Sequence, residues 1–283
     1  MVRLLISVIQ FGTIDYATGI CLQRRLVELR KEGRIGDVLL LLEHTPVITV
    51  GRNAKRSNIL ASAELLSQRG VEIFECDRGG DVTFHGPGQL VGYPIVDLHG
   101  FATHDGKRKT LGAVEYVRRL EEVLIRTSVE FRIATKRICG LTGVWTVTDN
   151  ASSELRPGQA GPETRLHTSK DEAKIAAIGV HISGGVTSHG FALNVSTDLS
   201  FFDLIIPCGI VSRRATSMAK ELNKDVPLQD VAYAISRNFG LVFNSQMLWM
   251  ESLDALLGPS VGVPVKPPVE LRQLHQEEDT FWA

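Results

Sequence analysis

Apolar and polar positions along this chain follow two periods, short continuous or alternating runs that suit strands and 3.6-residue patterns that suit helices. VRLLISVI (2–9) reads as a first strand, and Ile14–Lys31 as an amphipathic helix with Ile14, Ala17, Cys21, Val27 and Leu29 on its apolar face. DVLLLLEH (37–44) is apolar without alternation, the pattern of a strand covered on both faces. VITVG (47–51) follows Pro46 as another strand, and Ala63–Gln68 is a short helix. VEIFEC (71–76) and DVTF (81–84) predict strands on either side of an Asp77–Gly80 turn. QLVGYPIVDL (89–98) is a strand whose Pro94 predicts a sheet edge or a bulge, because proline donates nothing to a ladder. Leu111–Thr127 is the clearest helix, and FRIAT (131–135) and GVWTV (143–147) are strands.

The pattern breaks at Asp149–Glu172, where Ser, Pro, Gly, Glu and Thr dominate; the stretch reads as a flexible surface insertion unable to bury enough to order itself. Strands resume with KIAAIGVHI (174–182) and FALNVST (191–197), and helices with Thr216–Leu222 and Leu228–Phe243. After Leu257, Pro264, Pro267 and Pro268 mark a tail over residues 258–283. The expected organisation is one domain over residues 1–250, with the surface insertion at 149–172 and the C-terminal tail beyond. Strands and helices are mixed, with several strands in sequence before a helix, so the fold class is α/β (α+β) with a mixed sheet flanked by helices rather than a doubly wound sheet.

Composition narrows the partners. The 283 residues are 43% hydrophobic and 22% charged with a net charge of −1, which argues against a general nucleic-acid binder. No apolar run approaches the ~20 residues that span a bilayer, so no membrane partner is expected. The apolar start is too short for a secretory signal and lacks the Arg-rich look of a transit peptide. Cys21, Cys76, Cys139 and Cys208 form no CxxC pair, which fits free thiols in a reducing compartment.

Four constellations could carry chemistry. Arg78–Gln89 (RGGDVTFHGPGQ) packs glycines around a cation and a titratable ring; a glycine-turned hairpin with a solvated Arg is the plainer reading. It is neither a GxGxxG opening a helix nor a GxxxxGK(S/T) loop, so a nucleotide-phosphate cradle is poorly supported. Lys174 opens a buried strand; it is either a snorkelling edge residue or a partly desolvated lysine that exchanges protons near neutrality. Thr187–Asn194 (TSHGFALN) is either a turn entering a strand, with His189 hydrogen-bonded, or a wall of a binding slot in which Gly190 and Ala192 leave room for an apolar chain. Cys208 stands between Pro207 and Gly209, a stiff, narrow frame unlike the settings of Cys21 and Cys76, which read as small buried hydrophobes. An ammonium beside such a thiol favours the thiolate, which pairs Lys174 with Cys208 as a hypothesis. His85, His181 and His189 show no close metal-ligand spacing, and no GxSxG elbow is present.

Together RGGDVTFHGPGQ, TGVW (142–145), AKIAAIG (173–179), TSHGFALN and PCGI (207–210) resemble the lipoyl(octanoyl) transferases, the octanoyl-acyl-carrier-protein:protein N-octanoyltransferases, from about Phe11 to about Phe243. The resemblance implies a fold shared with biotin and lipoate protein ligase catalytic domains. It implies Cys208 as the acyl-thioester nucleophile and Lys174 as the lysine that lowers its pKa. It implies three substrate-binding segments: Arg78, Gly79, Gly80, Asp81, Val82, Thr83, Phe84 and His85; Ala177, Ile178 and Gly179; Gly190, Phe191 and Ala192. Gly79, Gly80, Gly179 and Gly190 would shape a slot for the eight-carbon chain, and backbone N–H groups near Gly209 would face the oxyanion. No metal or cofactor is expected, the phosphopantetheine belonging to the substrate. The implied partners are octanoyl-acyl carrier protein, the lipoyl domains of 2-oxoacid dehydrogenase E2 subunits and the glycine cleavage H protein, met by a monomer. The TSHG and PCGI strings look closer to eukaryotic, mitochondrial members, with a cytoplasmic location as the alternative if the chain is bacterial. The rival readings are an ATP-dependent lipoate- or biotin-type ligase, a non-catalytic acyl-carrier binding module, and an acyl-thioester hydrolase.

Overall fold

The computed structural model describes residues 4–102, 110–147, 172–207 and 214–257. The elements in chain order are β1 (Leu4–Ile14), α1 (Tyr16–Lys31), β2 (Asp37–His44), β3 (Val47–Val50), α2 (Ala63–Gln68), β4 (Glu72–Glu75), β5 (Val82–His85) and β6 (Gln89–Ile95). They continue with α3 (Ala113–Glu130), β7 (Thr135–Ile138), β8 (Leu141–Thr146), β9 (Ala173–Ser183), β10 (Val186–Asn194), β11 (Arg214–Ala215), α4 (Met218–Leu222), α5 (Leu228–Phe243), β12 (Ser245–Met250) and α6 (Leu253–Leu257). The large mixed sheet runs β12-β1-β2-β6-β10-β9-β8-β7, with β11 beside β9, and a small sheet runs β4-β3-β5.

The two cores explain the unbroken apolar run of β2. Leu39 and Leu41 enter a core roofed by α3 and α5, with Leu120, Val123, Ile235 and Phe239. Val38, Leu40 and Leu42 enter the opposite core, closed by Leu22, Leu26 and Leu29 of α1. Asp15 caps α1, its carboxylate accepting from the Thr18 N–H at 2.8 Å. The fully buried stripe of α1 is Tyr16, Gly19, Ile20, Leu22, Gln23, Leu26 and Leu29, so of the expected face only Leu29 is fully covered. A third, smaller core of Ile48, Leu66, Val82, Phe84, Leu204 and Ile205 fills the small sheet. Among the described residues no helix is long and apolar enough to cross a membrane.

Several expectations are corrected. Pro94 lies in β6, at the centre of the sheet, not at an edge. The ladder between β6 and β10 stops at Gly92–Phe191, so the missing N–H of Pro94 falls beyond it. There the Thr187 hydroxyl donates to the Pro94 carbonyl at 2.7 Å and accepts from the Val96 N–H at 3.1 Å, taking over from backbone pairing. FRIAT is mostly the exit of α3: Arg132 adopts φ +62° and Ile133 N–H returns to the Ser128 carbonyl, so the strand starts only at Thr135. VEIFEC and DVTF do not pair with each other; β4 and β5 both pair with β3. Of the expected insertion (149–172), residues 149–171 lie outside the described residues, as does the tail (258–283), while Glu172 is buried and ion-paired with Lys136.

Glycines set how closely the central strands approach. A Cβ on Gly190 would lie 2.2 Å from the Gly92 carbonyl oxygen and 2.6 Å from Pro94 Cδ. Gly190→Ala is therefore expected to cost at least the ~1–3 kcal/mol typical of overpacking, read as a lower urea midpoint at unchanged slope. Gly36→Ala, with open space around its Cβ, serves as the near-neutral control.

Candidate active site

The Arg78–Gln89 string is not a hairpin; it carries the chain from the small sheet (β5) to the large one (β6). Arg78 is not a solvated cation either. Its guanidinium is buried and donates to Thr49 Oγ1 (3.1 and 2.8 Å), to the Thr49 carbonyl (2.8 Å) and to the Gly79 carbonyl (3.1 Å). Gly79 N–H donates to the Val180 carbonyl of β9 at 3.1 Å. A Cβ on Gly179 would meet the Gly79 carbonyl oxygen at 2.7 Å. The two glycine segments thus serve a backbone-to-backbone approach that joins the sheets.

A cavity of about 480 Å³, the open space at its mouth included, lies at this seam. All three segments implied by the resemblance reach it: Arg78–Asp81, Thr83 and His85 from the first, Ala177–Gly179 from the second, and Gly190–Ala192 from the third. Val82 and Phe84 are the exceptions. They alternate to the other face of β5, and Phe84 stacks on Phe201 (4.6 Å) and meets Phe202 edge-on (5.7 Å). Both are core residues of the small sheet and do not line the cavity.

A second cavity, of about 440 Å³, shares Thr83, Ala177 and Ala192 with the first. Lys174 lines it together with Trp145, Phe202, Pro207 and Arg214. Lys174 pairs with Trp145 across β8–β9, and its Nζ sits 4.8 Å from the Trp145 ring centre, over a face that attracts cations. Gly143, at φ +121°, leaves space for the lysine stem. Pro207 reaches the cavity from the other side. Ile206 N–H donates to the Asn58 carbonyl at 2.7 Å, and the Asn58 side chain donates to Asp81 at 2.6 Å. After residue 213 the chain returns in β11, which pairs in parallel with Ala173–Lys174. Cys208 itself lies outside the described residues, as do Gly209 and Ile210. The residues on both sides of that gap, Pro207 and Arg214, line the cavity of Lys174.

Histidines that the sequence reading left without partners form two buried networks. Nδ1 of His44 lies 3.0 Å from the Ile14 carbonyl and so carries the proton, leaving Nε2 to accept from the Tyr93 hydroxyl at 2.6 Å. His85 Nδ1 donates to Gln89 Oε1 (2.7 Å), Gln89 donates to Asn194 (2.8 Å), and Asn194 donates to the Thr216 carbonyl (2.8 Å). This chain of bonds runs from one cavity to the other, since His85 faces the first and Gln89 and Asn194 the second. Burial pushes His44 down to about 4 and His85 to about 3, so both rings are neutral. His189 takes a left-handed φ of +55° inside β10 and bonds Asp77 at 2.7 Å, while His181 bonds the other oxygen of Asp77 at 2.5 Å. Burial lowers His189, with Asp77 opposing; burial of Asp77 is outweighed by the two histidines, which hold its carboxyl below the ordinary range. Among the described residues no group of three His, Cys, Asp or Glu is arranged to hold a metal ion. Tyr16, Val91 and Tyr93 also line the first cavity. Their strands and helix were legible in the sequence, but nothing in the pattern set them apart from core residues.

Comparison with known proteins settles the family. The model of the lipoyl protein ligase A/B catalytic domain matches residues 15–240. The octanoyltransferase of Koribacter versatilis is 54% identical over 274 residues, covering 97% of this chain and 98% of the relative. The chain belongs to the octanoyltransferase family. It is an acyltransferase, and the octanoyltransferase of Acidobacterium capsulatum is equally close at 54% identity over 90% of this chain and 96% of the relative. These relatives are bacterial, so they lend no support to the eukaryotic-like, mitochondrial expectation. Among solved structures, the bipartite lipoate protein ligase of Thermoplasma acidophilum superposes with a TM-score of 0.62 at 13% identity, covering 88% of this chain and 87% of that one. A lipoate-protein ligase A bound with ATP gives 0.59 at 13% identity, covering 87% of both chains. At that identity the likeness speaks for the fold alone: the mixed sheet flanked by helices is the lipoate-ligase fold.

The neutral histidines make stability depend on pH with a definite sign. Below pH 6.5 the unfolded chain takes up protons that folded His44 and His85 refuse, so stability falls as pH drops from about 6.5 toward the folded values near 4 and 3. Each ring contributes up to about 1.4 kcal/mol per pH unit in that window. Urea melts at pH 7, 6 and 5 should show a flatter dependence in His44→Asn and in His85→Asn; a slope equal to wild type would refute the assignment.

Proposed function

We propose that this enzyme carries an octanoyl group from octanoyl-acyl carrier protein to a lysine of lipoyl domains through a thioester on Cys208. The supporting observation is the pair of joined cavities: one holds Lys174 and Pro207, the neighbour of Cys208, and the other gathers the three segments that the resemblance assigns to substrate. The Cys208 thiolate attacks the thioester carbonyl, a new C–S bond forms, and the carrier's phosphopantetheine thiolate leaves with a proton from Lys174. The amine of the lipoyl-domain lysine then attacks the octanoyl-enzyme. An amide forms, its C–N bond replaces the C–S bond to Cys208, and neutral Lys174 recovers the proton shed by the amine. Splitting the transfer into two thioester-level steps is the gain of covalent catalysis. Thioester to amide runs downhill, so the reaction needs no ATP. The lipoyl domains of 2-oxoacid dehydrogenase E2 subunits and the glycine cleavage H protein are the acceptors this reading names, and the bacterial relatives support the cytoplasmic alternative.

Val91, Ile178, Phe191 and Ala192 give the glycine-lined cavity an apolar wall for the alkyl chain. Burial at about 0.8 kcal/mol per CH₂ predicts that each carbon removed from an octanoyl donor lowers kcat/KM about fourfold. Hexanoyl and octanoyl carriers compared side by side check this.

Intact mass after incubation with octanoyl-carrier protein, without ATP, tests the nucleophile. An adduct of one octanoyl group is expected on the wild type and none on Cys208→Ala; an adduct that survives the substitution overturns the assignment. Lys174→Ala should raise the apparent pKa of Cys208 alkylation, and an unchanged profile would remove its role. Product formation from free octanoate only when ATP is present would favour the ligase reading, and release of octanoate to water in the presence of lipoyl domain the hydrolase reading.

A further inference from the structure

A buried carboxylate beneath Lys174 plays no part in the transfer as written above. Glu121, on α3, is fully buried. Its Oε1 accepts from the Gly143 N–H of β8 at 3.2 Å. Its Oε2 accepts from Arg118 of the same helix at 2.7 Å and from Arg137 of β7 at 3.1 Å. One charge, neutralised by two guanidinium groups, therefore ties a helix to both strands of the β7–β8 hairpin. A lone carboxylate at such depth would cost several kcal/mol, and Arg118 and Arg137 give this one its partners.

The residue that Glu121 holds lies against the lysine. A Cβ on Gly143 would sit 3.3 Å from Lys174 Cε and 3.6 Å from its Nζ, and 2.7 Å from the Ala176 carbonyl oxygen. The φ of +121° at Gly143 is one that other residues rarely adopt, so this bend needs both glycine and an external hold. Two residues on, the Trp145 ring meets the ammonium. The TGVW string thus forms a floor for the lysine, and Glu121 is the fastening of that floor.

We propose that Glu121 is a positioning residue for acyl transfer: by holding Gly143 it fixes the Lys174 ammonium at the cavity that Pro207 also lines. The proposal rests on the reading in which Lys174 keeps Cys208 as thiolate. Glu121 itself is not among the residues that line either cavity.

The test is the pH profile of Cys208 alkylation by iodoacetamide in full-length folded protein. In Glu121→Ala the profile should shift upward toward that of Lys174→Ala, with alkylation at pH 7 slowed about tenfold, and the double substitution should add nothing. Glu121→Gln, which keeps an oxygen for the Gly143 N–H, should restore most of the wild-type profile. Glu121→Asp keeps a carboxylate for the arginines but draws it back from the Gly143 N–H, and should shift the profile in the same direction; it decides the matter if Glu121→Ala does not fold. A purely structural ion cluster would lower the melting temperature of Glu121→Ala and leave the alkylation profile unmoved in both Glu121→Ala and Glu121→Asp, and that result overturns the proposal. If Lys174→Ala itself moves nothing, the reading of the cysteine–lysine pair fails, and the role of Glu121 with it.

Discussion

The close approach of the Gly79–Gly80 loop to β9 is the contact on which the site depends. The Gly79 N–H bonds the Val180 carbonyl, and any side chain at Gly179 would strike the Gly79 carbonyl oxygen. That contact fastens the three-stranded sheet against the eight-stranded path of the larger one. The cavities lie along the seam it creates, and the shared residues Thr83, Ala177 and Ala192 come from both sides of it. Arg78 stiffens the seam from within, spending its guanidinium donors on Thr49 and Gly79 rather than on water. Engaged with backbone and hydroxyl partners through four hydrogen bonds, it is a structural strut whose positive charge nevertheless remains beside the cavity.

Polar groups buried at the seam are costly unless every one has a partner, and most of these do. The His85–Gln89–Asn194–Thr216 run fixes which nitrogen of His85 carries its proton, because Gln89 must use its oxygen there while its NH₂ serves Phe84 and Asn194. His44 is fixed in the same way between a carbonyl and the Tyr93 hydroxyl. Neutral, oriented rings beside the cavity add hydrogen-bonding groups without adding charge. Ionisable side chains of other kinds line both cavities as well, Arg78 and Asp81 the first and Lys174 and Arg214 the second.

Much of this was legible in the chain. DVLLLLEH reads correctly because both faces of β2 are buried, and Leu228–Phe243 because Pro227 and Asn244 bracket one clean helical period. The family that the motif strings resemble is the one to which the chain belongs. The sequence was silent where a residue's role depends on distant partners. β12 (SQMLWM) lacks a run of β-branched residues and, among the described residues, pairs only with β1, which is more than 200 residues away in sequence. Pro94 reads as an edge signal because nothing local reveals that Thr187 replaces its lost pairing. Within Arg78–His85, strand alternation separates Val82 and Phe84 from the cavity, but which face is which depends on Phe201 and Phe202, over 100 residues later. Glycines at 179 and 190 suggested room for substrate, yet each is required first by a neighbouring backbone.

The supports of the proposed pair come from opposite sides of the seam. Lys174 belongs to the large sheet, seated on Gly143 and Trp145, which Glu121 and α3 hold. The chain approaching Cys208 belongs to the small-sheet side, where Asp81 holds Asn58, Asn58 holds Ile206, and Phe84 packs against Phe201 and Phe202. The proposed reaction needs a thiol and an ammonium at a defined separation. The spacing of Lys174 from Pro207, the neighbour of Cys208, depends on how firmly the Gly79–Val180 contact locks one sheet to the other. A perturbation at that contact would reach the chemistry without touching either reactive residue, because rigid, packed elements transmit displacement where a loose loop would absorb it.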